Sequence, residues 1–459
     1  MGDLVVAGGT VVTSAGRMKA DVLCRDERIA QIGADLSADA EVVDATDSFV
    51  LPGVVDPHLH FALVAEPHRT ADDFDSGSAS ALAGGVTTFI DFAHQHRGEG
   101  FEEAIDRRLG EAVSSRCDYS LHLIVTDISG GQLEEVGHLT KRGFASAKVY
   151  TTYKAAGFHC DDYTILRFMR KAAEQNWLVM VHCENDDIVE GTRSHYLDEG
   201  KRSFRFHGLS RPVVAEVETV GRVITFSKNT GCTLYPVHLS AGESARLVAR
   251  ARKDGLPVIG ETCPHFLVAD ESVYGTERAN RFIHTPPLRS RRDVEVLWEE
   301  LGGDGLQTVA SDHCGYTLAQ RTDFDDITRV APGIPGTETI LPLLYTYGVA
   351  RGRLSLEQLV KICSENAART FGMYPRKGTI AEGSDADIVV YDPQPSGTLA
   401  DEGTHSAAGY TPYAGMEITG RVRATVHRGR LAFDGADVLV AAGNGSFVAR
   451  SPVSPQNVP

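Results

Sequence analysis

Two histidines spaced two residues apart, His58 and His60, close an apolar run, Phe49-Val50-Leu51-Pro52-Gly53-Val54-Val55-Asp56-Pro57. Side chains alternate along a strand, so both imidazoles leave its C-terminal end in the same direction. With 17 histidines in the chain, one such spacing says little by itself. Four later strand-like segments also end on residues that can serve a metal. Lys148 lies in Ser146-Ala147-Lys148-Val149-Tyr150, and His182 follows Leu178-Val179-Met180-Val181. His238 follows Tyr235-Pro236-Val237, and Asp312 follows Val309-Ala310-Ser311. Imidazole and carboxylate donors suit zinc, manganese or iron. Four histidines and an aspartate exceed what one catalytic zinc requires, so the set predicts two divalent cations, with zinc the first expectation.

Lys148 is the odd member. An ordinary lysine is a cation without an acceptor and repels metals. At the end of a strand beside four histidines it makes sense if CO₂ carboxylates its side-chain nitrogen. The resulting carbamate is anionic, and its two oxygens can bridge two cations. The other histidines, His94, His96, His122, His159, His195, His207, His284, His313 and His427, read as surface or packing residues. His265 and His313 sit near the rim segments and are candidates to support the ligands.

The elements that must position these residues lie in the middle of the chain. Residues 51–376 alternate short apolar strands (Val50–Phe61, Val86–Ala93, Asp118–Thr126, Ala145–Thr151, Leu178–Cys183, Thr233–Leu239, Pro257–Thr262 and Thr308–Asp312) with helical patterns. The helices are expected at Phe101–Ser114, Tyr163–Gln175, Val213–Asn229, Ser244–Asp254 and Asp293–Leu301. Eight strand–helix units predict an α/β fold, a (β/α)₈ TIM-like barrel whose strand ends form the catalytic face. Residues 1–50 and 377–459 are instead rich in short strands, such as Leu4–Ala7, Thr10–Thr13, Asp387–Tyr391, Ala424–Arg428 and Asp437–Ala441. They predict one small β-sandwich built from both termini.

At 459 residues, with 42% hydrophobic and 23% charged residues, the composition is that of a globular protein with a large core. A formal charge of -17 argues against nucleic acid or an anionic membrane as partner. No apolar run approaches the roughly 18 residues of a membrane span. The first residues, Met1-Gly2-Asp3-Leu4-Val5, read as a strand, so a cytoplasmic protein is expected. Eight cysteines without a CxxC spacing read as reduced core residues, with Cys183 and Cys314 expected in the walls of the site.

With these residues in hand, the chain resembles the amidohydrolase superfamily. More narrowly it is similar to the cyclic amidases: hydantoinases, dihydropyrimidinases and allantoinases. The resemblance rests on Leu51–His60, Ala81-Leu82-Ala83-Gly84-Gly85-Val86-Thr87-Thr88 and Val181-His182-Cys183-Glu184-Asn185. It continues through Val237-His238-Leu239-Ser240, Glu261-Thr262-Cys263-Pro264-His265, Thr285-Pro286-Pro287-Leu288-Arg289, Ser311-Asp312-His313-Cys314 and Gly383-Ser384-Asp385-Ala386-Asp387. It implies one cation held by His58, His60, Lys148 and Asp312, another held by Lys148, His182 and His238, and a hydroxide between them. It implies further that Asp312 carries the proton and that Tyr153 donates to the developing oxyanion. Thr285 and Gly333 stand where relatives hold the substrate ring. One departure is visible: many relatives carry an asparagine–glycine turn where this chain has Ala331-Pro332-Gly333.

The implied reaction is hydrolytic ring opening of a 5-substituted hydantoin or dihydropyrimidine, a neutral cyclic ureide or imide, to an N-carbamoyl amino acid. Leu63, Val64, Tyr150 and Phe158 are expected to form the pocket for the ring substituent. Allantoinase is the first alternative, on Glu66-Pro67-His68-Arg69. Dihydroorotase is the second, and Ala62, where its members usually place an arginine, speaks against it. A non-catalytic scaffold relative is the alternative of another class, and the retained ligand set opposes it. By the same resemblance the protein is a homo-oligomer, tetramer or dimer.

Overall fold

A computed structural model describes residues 2–36, 40–65, 67–322, 324–457 and 459. Six parallel strands form one sheet in chain order: Val54–Asp56, Val86–His94, Asp118–Ile124, Ser146–Tyr150, Leu178–His182 and Thr233–Pro236. Val258 bridges Leu234, Glu261–Thr262 pairs with Thr308–Val309, and Leu59 bridges His313, which brings the eighth strand back to the first. The closing hydrogen bonds run from the Asp312 N–H to the His58 carbonyl (2.9 Å) and from the His60 N–H to the His313 carbonyl (2.7 Å). The eight-stranded TIM-like barrel is therefore observed, and its closing seam carries three of the candidate ligands.

The strands are apolar on both faces because helices cover the outside and side chains fill the inside; Leu178–His182 is buried throughout. The helix Asp162–Glu174 shows how the outer layer is specified. It buries Ile165, Phe168, Met169 and Ala172, one face at helical spacing, and Asp161 caps it by accepting the Thr164 N–H at 2.7 Å. Helix Val213–Thr230 follows Pro212 and ends on Gly231 at φ 71°.

Both termini build the second unit. One sheet runs Arg28–Gly33, Asp21–Arg25, Leu4–Ala7, Glu41–Asp44. The other runs Arg430–Phe433, Glu417–His427, Ile388–Thr398, Phe49–Pro52, Thr10–Thr13, Gly16–Lys19. Leu4, Val6, Val22, Val50, Ile388, Val390 and Val426 share a core between them. Lys377, buried at the junction with the barrel, donates to Asp118 (2.6 Å), Asp387 (2.7 Å) and Asp385 (2.9 Å). Its ammonium occupies the centre of these three carboxylates, so their clustering needs no metal.

Two expected strands differ. The run Val50–Phe61 is broken at Gly53: Phe49–Pro52 pairs with Ile388–Tyr391 in the terminal sheet, and only Val54–Asp56 enters the barrel. A Cβ at Gly53 would lie 2.0 Å from the Thr87 hydroxyl, so the crossing between units requires glycine. Asp437–Ala441 is not a strand. Asp434 accepts the N–H groups of Ala436 (3.0 Å) and Asp437 (2.8 Å), turning the chain directly after Arg430–Phe433. Among the described residues no helix is long and apolar enough to cross a membrane.

Candidate active site

The strand ends bring all six proposed ligands together. His58 faces Lys148 Nζ with Nε2 at 2.7 Å and Asp312 Oδ1 at 3.2 Å. His60 Nε2 lies 3.4 Å from the same Asp312 oxygen. The donor atoms of His58, His60 and Asp312 fall within 4.8 Å of one another, close enough to hold a metal ion. His238 joins from the other side, with ring centroids 4.6 Å from His182 and 5.4 Å from His58. His238, Asp312 and Tyr153 take positive φ (39°, 46° and 64°), a backbone region costly for residues with a Cβ. Strain of this kind clusters at functional sites, and here it aims three candidate residues inward.

The electrostatics favour cations. Burial holds the His58 and His238 imidazoles well below the ordinary histidine range and lowers His60 and His182 as well. Neutral imidazoles are the form that binds metal. Burial opposes ionisation of Asp312, but the hydrogen bond with His60 favours its carboxylate, and the carboxyl lies well below the usual range. Burial likewise pushes Lys148 down to about 8. Its amine lies over the Phe92 and Tyr150 rings, with His58 as its one hydrogen-bond partner among the described residues. His238 Nδ1 is buried without a hydrogen-bond partner. Four neutral imidazoles, one carboxylate and an underused amine are a donor set that divalent cations fit.

Two glutamates that sequence reasoning missed orient the ligands. Glu261 Oε1 lies 2.8 Å from His58 Nδ1 and accepts the His238 N–H at 2.8 Å, while Oε2 accepts the Tyr235 hydroxyl at 2.9 Å. Burial pushes Glu261 up to about 8, against the pull of the His238 backbone N–H and the Tyr235 hydroxyl. Glu184 Oε2 lies 2.8 Å from His182 Nε2 and is also bound by Arg211. Burial disfavours its charge, but Arg211 overrides that and holds Glu184 well below the carboxylate range. Each glutamate fixes which imidazole nitrogen stays free for a metal. Glu261→Gln is expected to weaken metal affinity by about 10–100-fold, measured by chelator competition. Unchanged affinity would remove this orienting role. Both glutamates sit inside stretches that carried the family resemblance, so the signal was present, but the His58–Glu261 pair is 203 residues apart in the chain.

Above the candidate ligands lies a cavity of about 280 Å³, lined by Leu63, Tyr150, Tyr153, Phe158, Thr285 and Gly333 and by every candidate ligand but His58. The Tyr153 hydroxyl hydrogen-bonds the Thr285 hydroxyl, and its ring lies 5.3 Å from that of His182. Burial raises the Tyr153 phenol to about 12. Val64 does not line the cavity: strand alternation turns it outward, half exposed, and Ala65 takes its place. The same alternation removes Cys183 from the wall, whereas Cys314 lines it. Gly333 contributes less than a backbone contact. Its N–H donates to the Ile283 carbonyl (2.9 Å) and its carbonyl accepts from Arg321. A Cβ there would meet the Cys314 carbonyl at 2.5 Å, so the position supplies space.

Arg289 is buried and braces Ser240, Arg211 and Glu216, and Arg69 is exposed. No arginine lines the cavity among the described residues; Glu66, of the allantoinase-like stretch, lies outside them. His122 lies 2.6 Å from the Ser146 hydroxyl and 2.9 Å from the Pro57 carbonyl, and His313 lies 3.0 Å from Asp72. Both therefore support the rim from behind. A larger depression of about 660 Å³ passes Phe204, Arg205 and Tyr274, and none of the converging ligands reaches it.

Residues 49–432 match the model of the amidohydrolase family. The D-hydantoinase of Geobacillus stearothermophilus is 37% identical, over 97% of this chain and 96% of that protein. The crystal structure of a dihydropyrimidinase from Brevibacillus agri superimposes with a TM-score of 0.96 at 37% identity, over 98% of this chain and 99% of that one. An L-hydantoinase (dihydropyrimidinase) from Arthrobacter aurescens does so at 0.90 and 30%, over 98% of this chain and 100% of that one. With the fold, the convergent ligand set and this full-length similarity together, the chain belongs to the amidohydrolase family, in its hydantoinase and dihydropyrimidinase branch.

Proposed function

We propose that this protein opens the ring of a neutral cyclic ureide or imide, a 5-substituted hydantoin or a dihydropyrimidine, by hydrolysis of one amide bond to give an N-carbamoyl amino acid. The observation that carries this reading is the pairing of a complete metal-ligand set with a largely apolar cavity free of arginine among the described residues. A carboxylate-bearing ring buried there would lack a cationic clamp, and an unpaired buried carboxylate is costly.

His58, His60, Lys148 and Asp312 would hold one cation, and Lys148, His182 and His238 the other. Zinc is the first candidate, with manganese and iron suiting the same donors. When bound, such cations polarise a carbonyl and lower the pKa of water from about 15.7 towards about 7. Lys148, carboxylated on its side-chain nitrogen by CO₂, would offer an oxygen to each of them. An amine with a pKa of about 8 is uncharged in about a tenth of molecules at pH 7, and only the uncharged form reacts with CO₂. Asp312 takes a proton from the attacking water and delivers it to the leaving ring nitrogen. Tyr153 stays protonated at any working pH, so its hydroxyl is free to leave Thr285 and donate to the carbonyl oxygen as charge develops there. Leu63, Ala65, Tyr150 and Phe158 face the ring substituent.

The test is incubation of metal-loaded protein with a 5-substituted hydantoin and detection of the N-carbamoyl amino acid. Tyr153→Phe removes one hydroxyl and is expected to lower kcat by about 10²–10³ with metal content unchanged. A Tyr153→Phe enzyme within a few-fold of wild type eliminates the oxyanion role. Residues 1–50 and 377–459 act as the unit that braces the barrel, 51–376. Eight free, buried cysteines support a reducing, cytoplasmic setting. The assembly is a homo-oligomer, tetramer or dimer, which light scattering can measure.

A further inference from the structure

His284 is a polar group in the cavity wall that the mechanism above does not use. It is buried, it lines the cavity beside Thr285, Pro332 and Gly333, and neither ring nitrogen has a hydrogen-bond partner of good geometry among the described residues. Its ring is held in place. The His265 ring packs against it at 4.2 Å between centroids, Phe266 lies at 5.1 Å, and His207 Nε2 binds the His284 carbonyl at 2.7 Å. Burial, and then the neighbouring His265 and His207, keep the imidazole well below the ordinary histidine range. The Pro286 carbonyl pulls weakly the other way without forming a hydrogen bond of good geometry. The ring is therefore neutral, with one N–H donor and one bare acceptor nitrogen.

A buried imidazole with both nitrogens unpaired costs free energy that the fold does not recover. Polar groups left open in a cavity wall are matched to what enters it. Several neighbouring donors on this wall are already committed: the Thr285 hydroxyl, for one, pairs with Tyr153. Pro332 has no N–H to offer. Gly333 has its N–H on Ile283 and its carbonyl on Arg321. Arg321, fully buried, spends its guanidinium on the carbonyls of Asn280, Ile283, Ala331 and Gly333 and does not point a free donor at the cavity. Among the described residues His284 is an open hydrogen-bonding side chain at this position, and it can donate where the Pro332 and Gly333 backbone cannot.

We infer that His284 is a specificity-determining substrate contact, donating its imidazole N–H to the urea carbonyl of the ring, the carbonyl that is not attacked. His265 is the positioning residue behind it, fixing the plane of the ring by stacking. This rests on the cyclic-ureide reading. It assigns recognition of the urea end of the ring to a side chain on a wall where the backbone of Pro332 and Gly333 cannot supply a donor.

The test uses metal-loaded full-length protein and two probes, a 5-substituted hydantoin and its 2-thioxo analogue, whose sulfur is a poor acceptor. Wild type is expected to favour the oxo compound in KM. His284→Met should raise KM for the oxo compound by on the order of tenfold or more, leave kcat within about threefold, and erase the oxo preference. His284→Gln retains a donor and should recover most of the loss, a pattern that mere loosening of the wall does not produce. Should the Met variant fold poorly, the Gln variant and the wild-type oxo-to-thioxo ratio still decide. Equal KM for the two probes in wild type, or a Met variant with wild-type KM and an unchanged ratio, overturns the inference alone. Wild type that opens neither a hydantoin nor a dihydropyrimidine overturns the functional reading and this inference with it.

Discussion

Lys148→Ala is expected to lose most bound metal and to lower kcat/KM by on the order of 10³-fold or more, because water reverts towards a pKa of about 15.7 without its cations. Lys148 is buried, and in its unmodified form it has one hydrogen-bond partner, His58, among the described residues. Alanine removes the only residue proposed to reach both cations. The loss should be partly reversed by a short carboxylic acid such as acetate or propionate, which can occupy the vacated channel and offer two oxygens. Rescue separates the bridging role from a packing role, since a cavity in the barrel core would not be repaired by an anion specifically. A Lys148→Ala protein that retains two metals and full turnover would remove the bridge from the account.

Asp312→Asn is expected to lower kcat by about 10²–10⁴, the range for loss of a general acid–base. The substitution is close to a clean test of charge. Asparagine tolerates positive φ about as well as aspartate, so the backbone at φ 46° need not move. The amide can still offer an oxygen to a cation but cannot accept and return a proton. Metal content must be measured on the same sample. A variant with wild-type metal and lowered kcat supports proton transfer, whereas a fall in metal alone would reduce Asp312 to a ligand. A variant that keeps both would eliminate both roles.

The six candidate ligands were legible in the sequence because they fall at or near the ends of five apolar strands. A barrel converts that local pattern into a common location. The small unit made from both termini was legible as a change in texture, from helix-alternating to strand-rich. What was not legible depends on contacts between distant segments. Glu261 orients His58 and His238, and Arg211 holds Glu184 from a segment 27 residues away; neither relation has a local spacing to betray it. Gly53 lies inside the strand expected over Val50–Phe61, and the need for glycine there shows only when Thr87 is seen against it. Whether Val64 or Ala65 faces the cavity turns on the phase of a two-residue strand, and a shift of one residue exchanges them. His284 could not be told from the packing histidines by sequence, since its distinction is the partners it lacks. Gly333 matched its expected place in the wall, but its backbone groups proved to be engaged by Ile283 and Arg321.

Ring opening of a neutral cyclic ureide at this site can be set directly against the reactions of carboxylate-bearing and ureido-substituted rings. The most direct test compares kcat/KM for a 5-substituted hydantoin with that for dihydroorotate and allantoin, on one preparation with one metal loading. A clear preference for the hydantoin is expected, because the cavity offers apolar side chains to its substituent and no arginine, among the described residues, to a carboxylate. Preference for dihydroorotate would contradict the inference drawn from that missing clamp, and preference for allantoin would mean that Tyr153 and the apolar wall had been misread.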